Sequence, residues 1–321
     1  MKTKRTDREK RRAVGKLLLA TLLFFLLFPY LGSFLKSGGK EEIIPTEYIS
    51  DTWVEADRLW GKERIPLEEY LVGMMAATIP LDYEPESLKA QAIMLRSWCY
   101  SLAKKEGGVD LIPANQLEEI WLSETQQRRI WGEEYETNRT AILDILKETR
   151  GMVLVWQEQI VAPPFFRISN GMTREVGEYQ VHTDKWAYLR SLSCPQDVES
   201  EDYLGRVEIS KKEFEKGVGR LLEEPSWKLD KIILHRDRTD YVKAVEISGK
   251  QIQGEEFRRA FGLASSCFTL EKQDDTIVIK TRGVGHGFGF SQYQANELAK
   301  QGQSCRQLLE NFFAEITIER F

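Results

Sequence analysis

Gly283-Val284-Gly285-His286-Gly287-Phe288-Gly289-Phe290-Ser291-Gln292-Tyr293-Gln294-Ala295-Asn296 is the most unusual stretch of this 321-residue chain. Four alternating glycines separate a β-rich run, Thr276–Thr281, from a run with helical spacing that starts at Ser291. Glycine admits positive φ and close approach of another backbone or a ligand, so the spacing predicts a tight loop at a cleft edge. A dinucleotide-binding loop fails on spacing. GxGxxG from Gly283 requires glycine at position 288, and from Gly285 at position 290; Phe288 and Phe290 stand there. His286 has two readings: a half-buried structural histidine in a tight turn, or a cleft-edge side chain beside Ser291 and Gln292 at a helix N-terminus.

Working outward, two consecutive helices open the folded region. Pro66 suits a first helical position, and Leu67, Tyr70, Leu71, Met74 and Met75 follow at helical spacing until Pro80. Pro85 starts the second, with Leu88, Ala92, Leu95, Cys99 and Leu102 as its apolar stripe and Gly107-Gly108 as its stop. Residues 109–136 read as mostly helical, and 140–149 as a short helix. Met152–Trp156 and Ile160–Ile168 predict a hairpin; Lys231–Leu234 with Tyr241–Ile247, and Cys267–Leu270 with Thr276–Thr281, predict two more strand pairs. Gly254–Phe261, Ser291–Lys300 and Cys305–Phe313 read as helices. Without regular βαβ alternation, the fold class is α+β, in one domain.

Composition bounds the function. Lys and Arg number 45 against 50 Asp and Glu, giving a net charge of −5. Residues 1–16 hold eight basic side chains and two acids, so the remainder is at about −11, a poor match for nucleic acid. Residues 17–35 are almost wholly apolar, and at ~1.5 Å each they just cover a ~30 Å hydrocarbon layer. The basic tail before them predicts a cytoplasmic N-terminus, and no A-x-A pattern follows, so an uncleaved anchor is expected. The expected organisation is a basic tail over 1–16, a transmembrane anchor over 17–35, a stalk over 36–46 and an extracytoplasmic domain over 47–321. Cys99, Cys194, Cys267 and Cys305 include no CxxC pair, and their spacing defines no disulfide pairing.

The glycine-rich run resembles the closing signature of the stage II sporulation protein D family, which includes amidase-enhancer proteins (GxGHGxGxSQ-x-x-A). A second match, Ile65-Pro66-Leu67-Glu68-Glu69-Tyr70-Leu71-Val72-Gly73 followed by Leu88-Lys89-Ala90-Gln91-Ala92 and Arg96-Ser97, resembles the family's opening block. A third, Thr149-Arg150-Gly151-Met152-Val153-Leu154, is similar to the T-x-G-x-V-L before its hairpin. The resemblance implies a membrane-anchored sporulation protein acting on peptidoglycan outside the membrane during engulfment, beside a cell-wall amidase and a scaffold membrane protein. Sporulation members resemble lytic transglycosylases, whose chemistry needs one carboxyl group to protonate the leaving oxygen and then deprotonate the sugar 6-hydroxyl.

The sequence departs from the family where that carboxyl group is expected. The pattern A-A-E-M-P reads Ala76-Ala77-Thr78-Ile79-Pro80, so Thr78 occupies the glutamate position, and a threonine hydroxyl is no acid near neutral pH. Asp82 and Glu84 are the nearest substitutes, although acids there more often cap a helix. A second departure concerns zinc, which some relatives bind near F-[YF]-H-S-x-x-G-G-x-T. Arg167 replaces the histidine in Phe165–Thr173, residues 163–181 contain no His or Cys, and His182 with Cys194 cannot close a tetrahedral site. No metal and no cofactor are expected. Arg96 is either a snorkelling charge or a contact to glycan or to a helix carboxylate. The expected cleft lining is Thr78, Arg96, His286, Ser291 and Gln292. The family reading leaves a glycan-binding or amidase-stimulating member with degenerate catalysis, an active transglycosylase with a displaced acid, or a docking protein.

Overall fold

The computed structural model describes residues 52–58, 61–106, 109–117, 120–178, 186–222 and 232–321. The basic tail, the apolar run and the stalk lie outside these residues, as does His182. Among the described residues, no helix is long and apolar enough to cross a membrane. The fold is α+β, as the sequence predicts.

The domain opens with strands that the sequence reading missed. β1 (Thr52–Arg58) pairs antiparallel with β2 (Gly61–Pro66) and parallel with β4 (Val109–Pro113), and β4 pairs with β3 (Lys104–Glu106). The signal is a short alternation: Thr52, Val54 and Ala56 are buried on one face. Helix α1 (Leu67–Thr78) follows β2 directly, with Pro66 as its N-cap rather than its first residue. It stops because Pro80 has no N–H to continue the ladder. Helix α2 (Pro85–Leu102) ends five residues before the expected Gly107-Gly108 stop, since Ala103 is already extended and leads into β3. The 109–136 region is mixed rather than helical: β4, a short turn, and α3 (Glu124–Trp131), held at its start by a Ser123/Gln126 capping box. Helix α4 (Tyr135–Glu148) is longer than its expected 140–149 core.

The hairpin after α4 is shorter than expected. β5 (Met152–Trp156) turns at Gln157 and Glu158, both at positive φ, into β6 (Gln159–Ile160), which has only two residues. Pro163 and Pro164 then lack the N–H groups a longer arm requires. The next strand, β7 (Phe165–Phe166), instead pairs in parallel with β14 (Phe290–Ser291) at the end of the glycine-rich run. β8 (Leu204–Ser210) and α5 (Lys211–Leu222) were not read from sequence. The two later strand pairs were: β9 (Ile232–Arg236) with β10 (Val242–Ile247), to which the unpredicted β11 (Lys250–Gln253) adds, and β12 (Phe268–Gln273) with β13 (Thr276–Arg282), which also pairs with β8. Helices α6 (Gly254–Ala260), α7 (Gln292–Lys300) and α8 (Cys305–Phe312) agree with their expected spans within a residue or two, and β15 (Thr317–Arg320) closes on β5.

Three apolar clusters hold these elements. One joins α1, the stripe of α2 and α4 through Leu71, Met74, Leu95 and Ile142. A second uses the opposite face of α2, where Ile93 and Met94 meet Phe290 and Phe312. The third fills the space between α5, α6 and the later sheets, with Phe214, Phe257 and Phe268 at its centre. Because α2 is buried on both sides, it fixes α1 relative to α7 and so positions the site. Each fully buried Leu, Met or Phe contributes about 1.5–3 kcal/mol. The four cysteines are free thiols.

Candidate functional site

Two of the predicted residues meet where α1 ends. The Thr78 hydroxyl donates to the Met74 carbonyl at 2.8 Å, one turn back. It accepts from Gln91 Nε2 at 3.3 Å. Gln292 Nε2, from the first residue of α7, donates to the Thr78 carbonyl at 2.8 Å and to Gln91 Oε1 at 3.2 Å. Gln91 and Gln292 are buried and Thr78 is half-buried. One hydroxyl and two amides therefore tie the end of α1 to α2 and α7. Gln91 was not singled out from sequence, although it stands in the quoted Leu88–Ala92 block. The substitute acids are arranged differently. Asp82 is exposed in the turn after Pro80, and Glu84 is the N-cap residue of α2 without a side-chain cap. The Glu84 backbone N–H donates to Asn296 Oδ1 at 2.7 Å, a further link to α7. Among the described hydrogen bonds, none joins either carboxylate to Thr78.

Arg96 belongs to the core rather than to a cleft surface. It is fully buried, and its guanidinium grips Glu68 with Nε–Oε1 at 2.9 Å and Nη2–Oε2 at 2.8 Å. Nη1 donates to the Thr149 carbonyl at 2.9 Å. This is the helix-carboxylate alternative, and it corrects the assignment of Arg96 to the cleft lining. The pair connects two of the sequence blocks: Glu68 and Arg96 from the two helices of the opening block, and Thr149 from the T-x-G-x-V-L segment.

The glycine-rich run lies against the protein's own backbone. Gly283, Gly285, Gly287 and Gly289 all have positive φ, between 77° and 116°. A Cβ at Gly283 would sit 2.5 Å from the Ile168 carbonyl, one at Gly285 2.6 Å from Phe166 Cβ, and one at Gly289 would overlap the Pro164 carbonyl. Val284 and Ile168 exchange backbone hydrogen bonds at 2.7 and 3.0 Å, and the Phe290 N–H donates to Pro164 at 3.0 Å. The close approach that glycine permits is thus to residues 164–169 for Gly283, Gly285 and Gly289, and to the Tyr241 ring for Gly287.

Ser291, at the end of this run, is buried. Its hydroxyl donates to both oxygens of Asp197, at 3.0 and 2.7 Å, and the Ser169 N–H donates to Asp197 Oδ2 at 2.7 Å. Burial pushes the Asp197 carboxyl up to about 6 from the usual 3.8, against the lowering effect of these donors. Asp197 is fully buried, so it positions Ser291 and residue 169 and does not reach a bound polymer directly. No local motif marks Asp197; it is 94 residues from Ser291 in sequence.

His286 takes the structural reading. Its Nδ1 accepts the Phe288 N–H at 3.0 Å, its ring lies against Phe166 and Phe288, and it has a backbone hydrogen bond with Phe165. Burial pushes its pKa down to about 4, partly opposed by nearby Glu255, so the ring is neutral at pH 7. The His286 carbonyl accepts from buried Arg174 at 3.0 Å, and Arg174 also pairs with Asp237 at 2.9 Å. His286, Glu255 and Phe288 border a cavity of about 510 Å³. Thr78 and Gln292 are not among the residues lining it.

Among the described residues, no group of three or more His, Cys, Asp or Glu side chains is placed to hold a metal ion. Arg167, at the position of the zinc-ligand histidine, pairs with Asp202 at 2.9 Å on the surface. Cys194 is buried, with its sulfur 3.6 Å from the Leu192 carbonyl.

Comparison with known proteins bears on these observations together. The profile of the family described as Stage II sporulation protein matches residues 55–156, which carry the opening block, the T-x-G-x-V-L segment and the Glu68–Arg96 pair. Stage II sporulation protein D of Bacillus subtilis (strain 168) is 33% identical over 256 residues, covering 78% of this chain and 74% of the relative. Stage II sporulation protein D of Bacillus amyloliquefaciens is 32% identical over 263 residues, covering 80% and 75%. An uncharacterized protein of Brachyspira hyodysenteriae is 20% identical over 269 residues, covering 78% and 66%. With both signature ends present and joined through Gln292 to Thr78, the chain belongs to the stage II sporulation protein D family.

Proposed function

We propose that this protein is a sporulation protein that binds peptidoglycan glycan strands outside the cytoplasmic membrane and does not itself cleave them efficiently. The apolar run over 17–35 is its anchor, and its task is to hold glycan for, or to stimulate, a cell-wall amidase working with a membrane scaffold. One observation carries the reading. At the end of α1, among the described residues, the side chains hydrogen-bonded to Thr78 are two neutral amides, and its own hydroxyl is committed to the Met74 carbonyl. Such a junction holds the ends of α1 and α7 in register through buried amides, and it supplies no proton donor of carboxylic strength.

Purified full-length protein in detergent, mixed with denuded glycan strands, should co-sediment with them and release no anhydro-ended products. Rapid release of such products by the unmodified protein would refute the reading. A second reading, an active transglycosylase with a displaced acid, is favoured by one feature: Asp82 is an exposed carboxylate four residues beyond Thr78. On that reading Asp82→Asn abolishes cleavage; on ours there is no appreciable cleavage to abolish.

A further inference from the structure

The cavity beside His286 differs in chemistry from the Thr78 junction. Pro164, Trp186, Leu189 and Phe288 give it a mainly apolar wall, and Glu255, Arg258 and Arg259 are its charged groups. Its volume, about 510 Å³, is in the range of small-ligand sites. His286 offers the ligand little, since its ring is engaged by Phe288 and Phe165. The Glu255 carboxylate accepts from Arg258 at 2.9 Å, from Arg174 at 3.3 Å and from Ser266, so its charge is compensated. Arg258 also donates to the Leu263 carbonyl at 3.4 Å. Arg259 is exposed at the wall and, among the described residues, has no ion-pair partner. Among the described residues, the lining thus has two guanidinium groups against one carboxylate.

That combination selects a ligand. A hydroxyl-rich sugar would leave polar groups unpaired against the apolar wall, at ~1–3 kcal/mol each. A short peptide with methyl side chains and a terminal carboxylate fits instead, because arginine takes a carboxylate through two parallel donors. We propose that this cavity binds the carboxylate-ended peptide stem of peptidoglycan, with Arg259 holding the carboxylate and Trp186 and Phe288 packing on the alanyl methyl groups. This rests on the peptidoglycan reading above but assigns the peptide, not the glycan, to a place of its own.

The test uses the full-length chain in detergent and a fluorescein-labelled stem tetrapeptide ending in D-alanine, read by anisotropy, with denuded glycan co-sedimentation in parallel. Saturable tetrapeptide binding is expected. Arg259→Glu should weaken it ~10–100-fold, as should a C-terminal amide on the peptide, since hydrogen bonds to charged groups carry affinity of that order. Arg259→Glu should leave the melting temperature and the glycan arm unchanged, because Arg259 is exposed and, among the described residues, has no ion pair to lose. Absence of tetrapeptide binding while glycan still binds overturns the peptide site alone. Binding indifferent to Arg259→Glu, or equally tight binding of an all-L peptide, also overturns it. Retained, Arg259-dependent peptide binding without glycan binding supports the peptide site and refutes the glycan reading instead.

Discussion

The two ends of the glycine-rich signature are built on opposite chemistry. At its helical end, Gln292 joins Thr78 and Gln91 in a junction without charge. Upstream, His286 packs among Arg174, Glu255 and Arg258, but its own ring is held neutral by burial. The difference teaches that the two ends are held in different ways: by a hydroxyl and neutral amides at the junction, and around His286 by charged groups committed to one another. What both share is rigidity. Each is fixed by long-range hydrogen bonds between segments that are far apart in sequence.

The largest effect should come from the scaffold beneath the junction. Glu68→Ala leaves the Arg96 guanidinium buried without its carboxylate, and loss of one partner of a buried pair costs about 3–5 kcal/mol. Urea unfolding should show it. A change under 1 kcal/mol would mean that Arg96 can swing to the surface, as a cleft residue would. Next comes the glycine-rich run. Gly289→Ala adds a Cβ at φ 77° that overlaps the Pro164 carbonyl, and should cost ~2–4 kcal/mol by the same measurement. A neutral effect would remove the argument that these glycines serve internal packing.

The pH response separates the two ends more finely. Asp197, raised to about 6 in the fold, binds a proton there that the unfolded chain has already released above 3.8. Its contribution to stability therefore falls as pH rises from ~4 to ~6, by roughly 1–3 kcal/mol. His286, lowered to about 4 from 6.5, acts oppositely: the unfolded chain takes up a proton first, so stability is lost as pH falls from 6.5 towards 4. The two slopes oppose each other in the wild type. Asp197→Asn should steepen the loss of stability on acidification across that window, and His286→Asn should flatten or reverse it. Identical slopes in both variants would contradict the assigned shifts.

Much of the junction was legible because its parts lie in long motifs: Thr78 at the helix end before Pro80, and Gln292 in the Ser-Gln pair of the glycine-rich run. Helical periodicity likewise gave α1, α2, α7 and α8. The four strands around α1 were not legible, since β2 and β3 have no apolar alternation and β1 shows only three alternating buried positions. Nor could local reading find β14, or that Phe165–Phe166, inside the β-rich run Ile160–Ile168, pairs with it, since that pairing is tertiary. Asp197, Glu68 and Glu255 were missed for one physical reason. Their roles come from partners brought close by topology, such as the 28 residues from Glu68 to Arg96, and no spacing rule encodes that.

The most direct test restores the carboxyl group. Thr78→Glu places an acid between Gln91 and the end of α1, within a scaffold otherwise unchanged. Anhydro-muropeptide release from denuded glycan is then measured for the wild type and the variant. A lone general acid is worth ~10²–10⁴-fold in rate, so Thr78→Glu should raise release by that order from a near-background wild type, with glycan binding retained. Robust release by the wild type, lost in Asp82→Asn or Glu84→Gln, would contradict the account and locate the acid elsewhere.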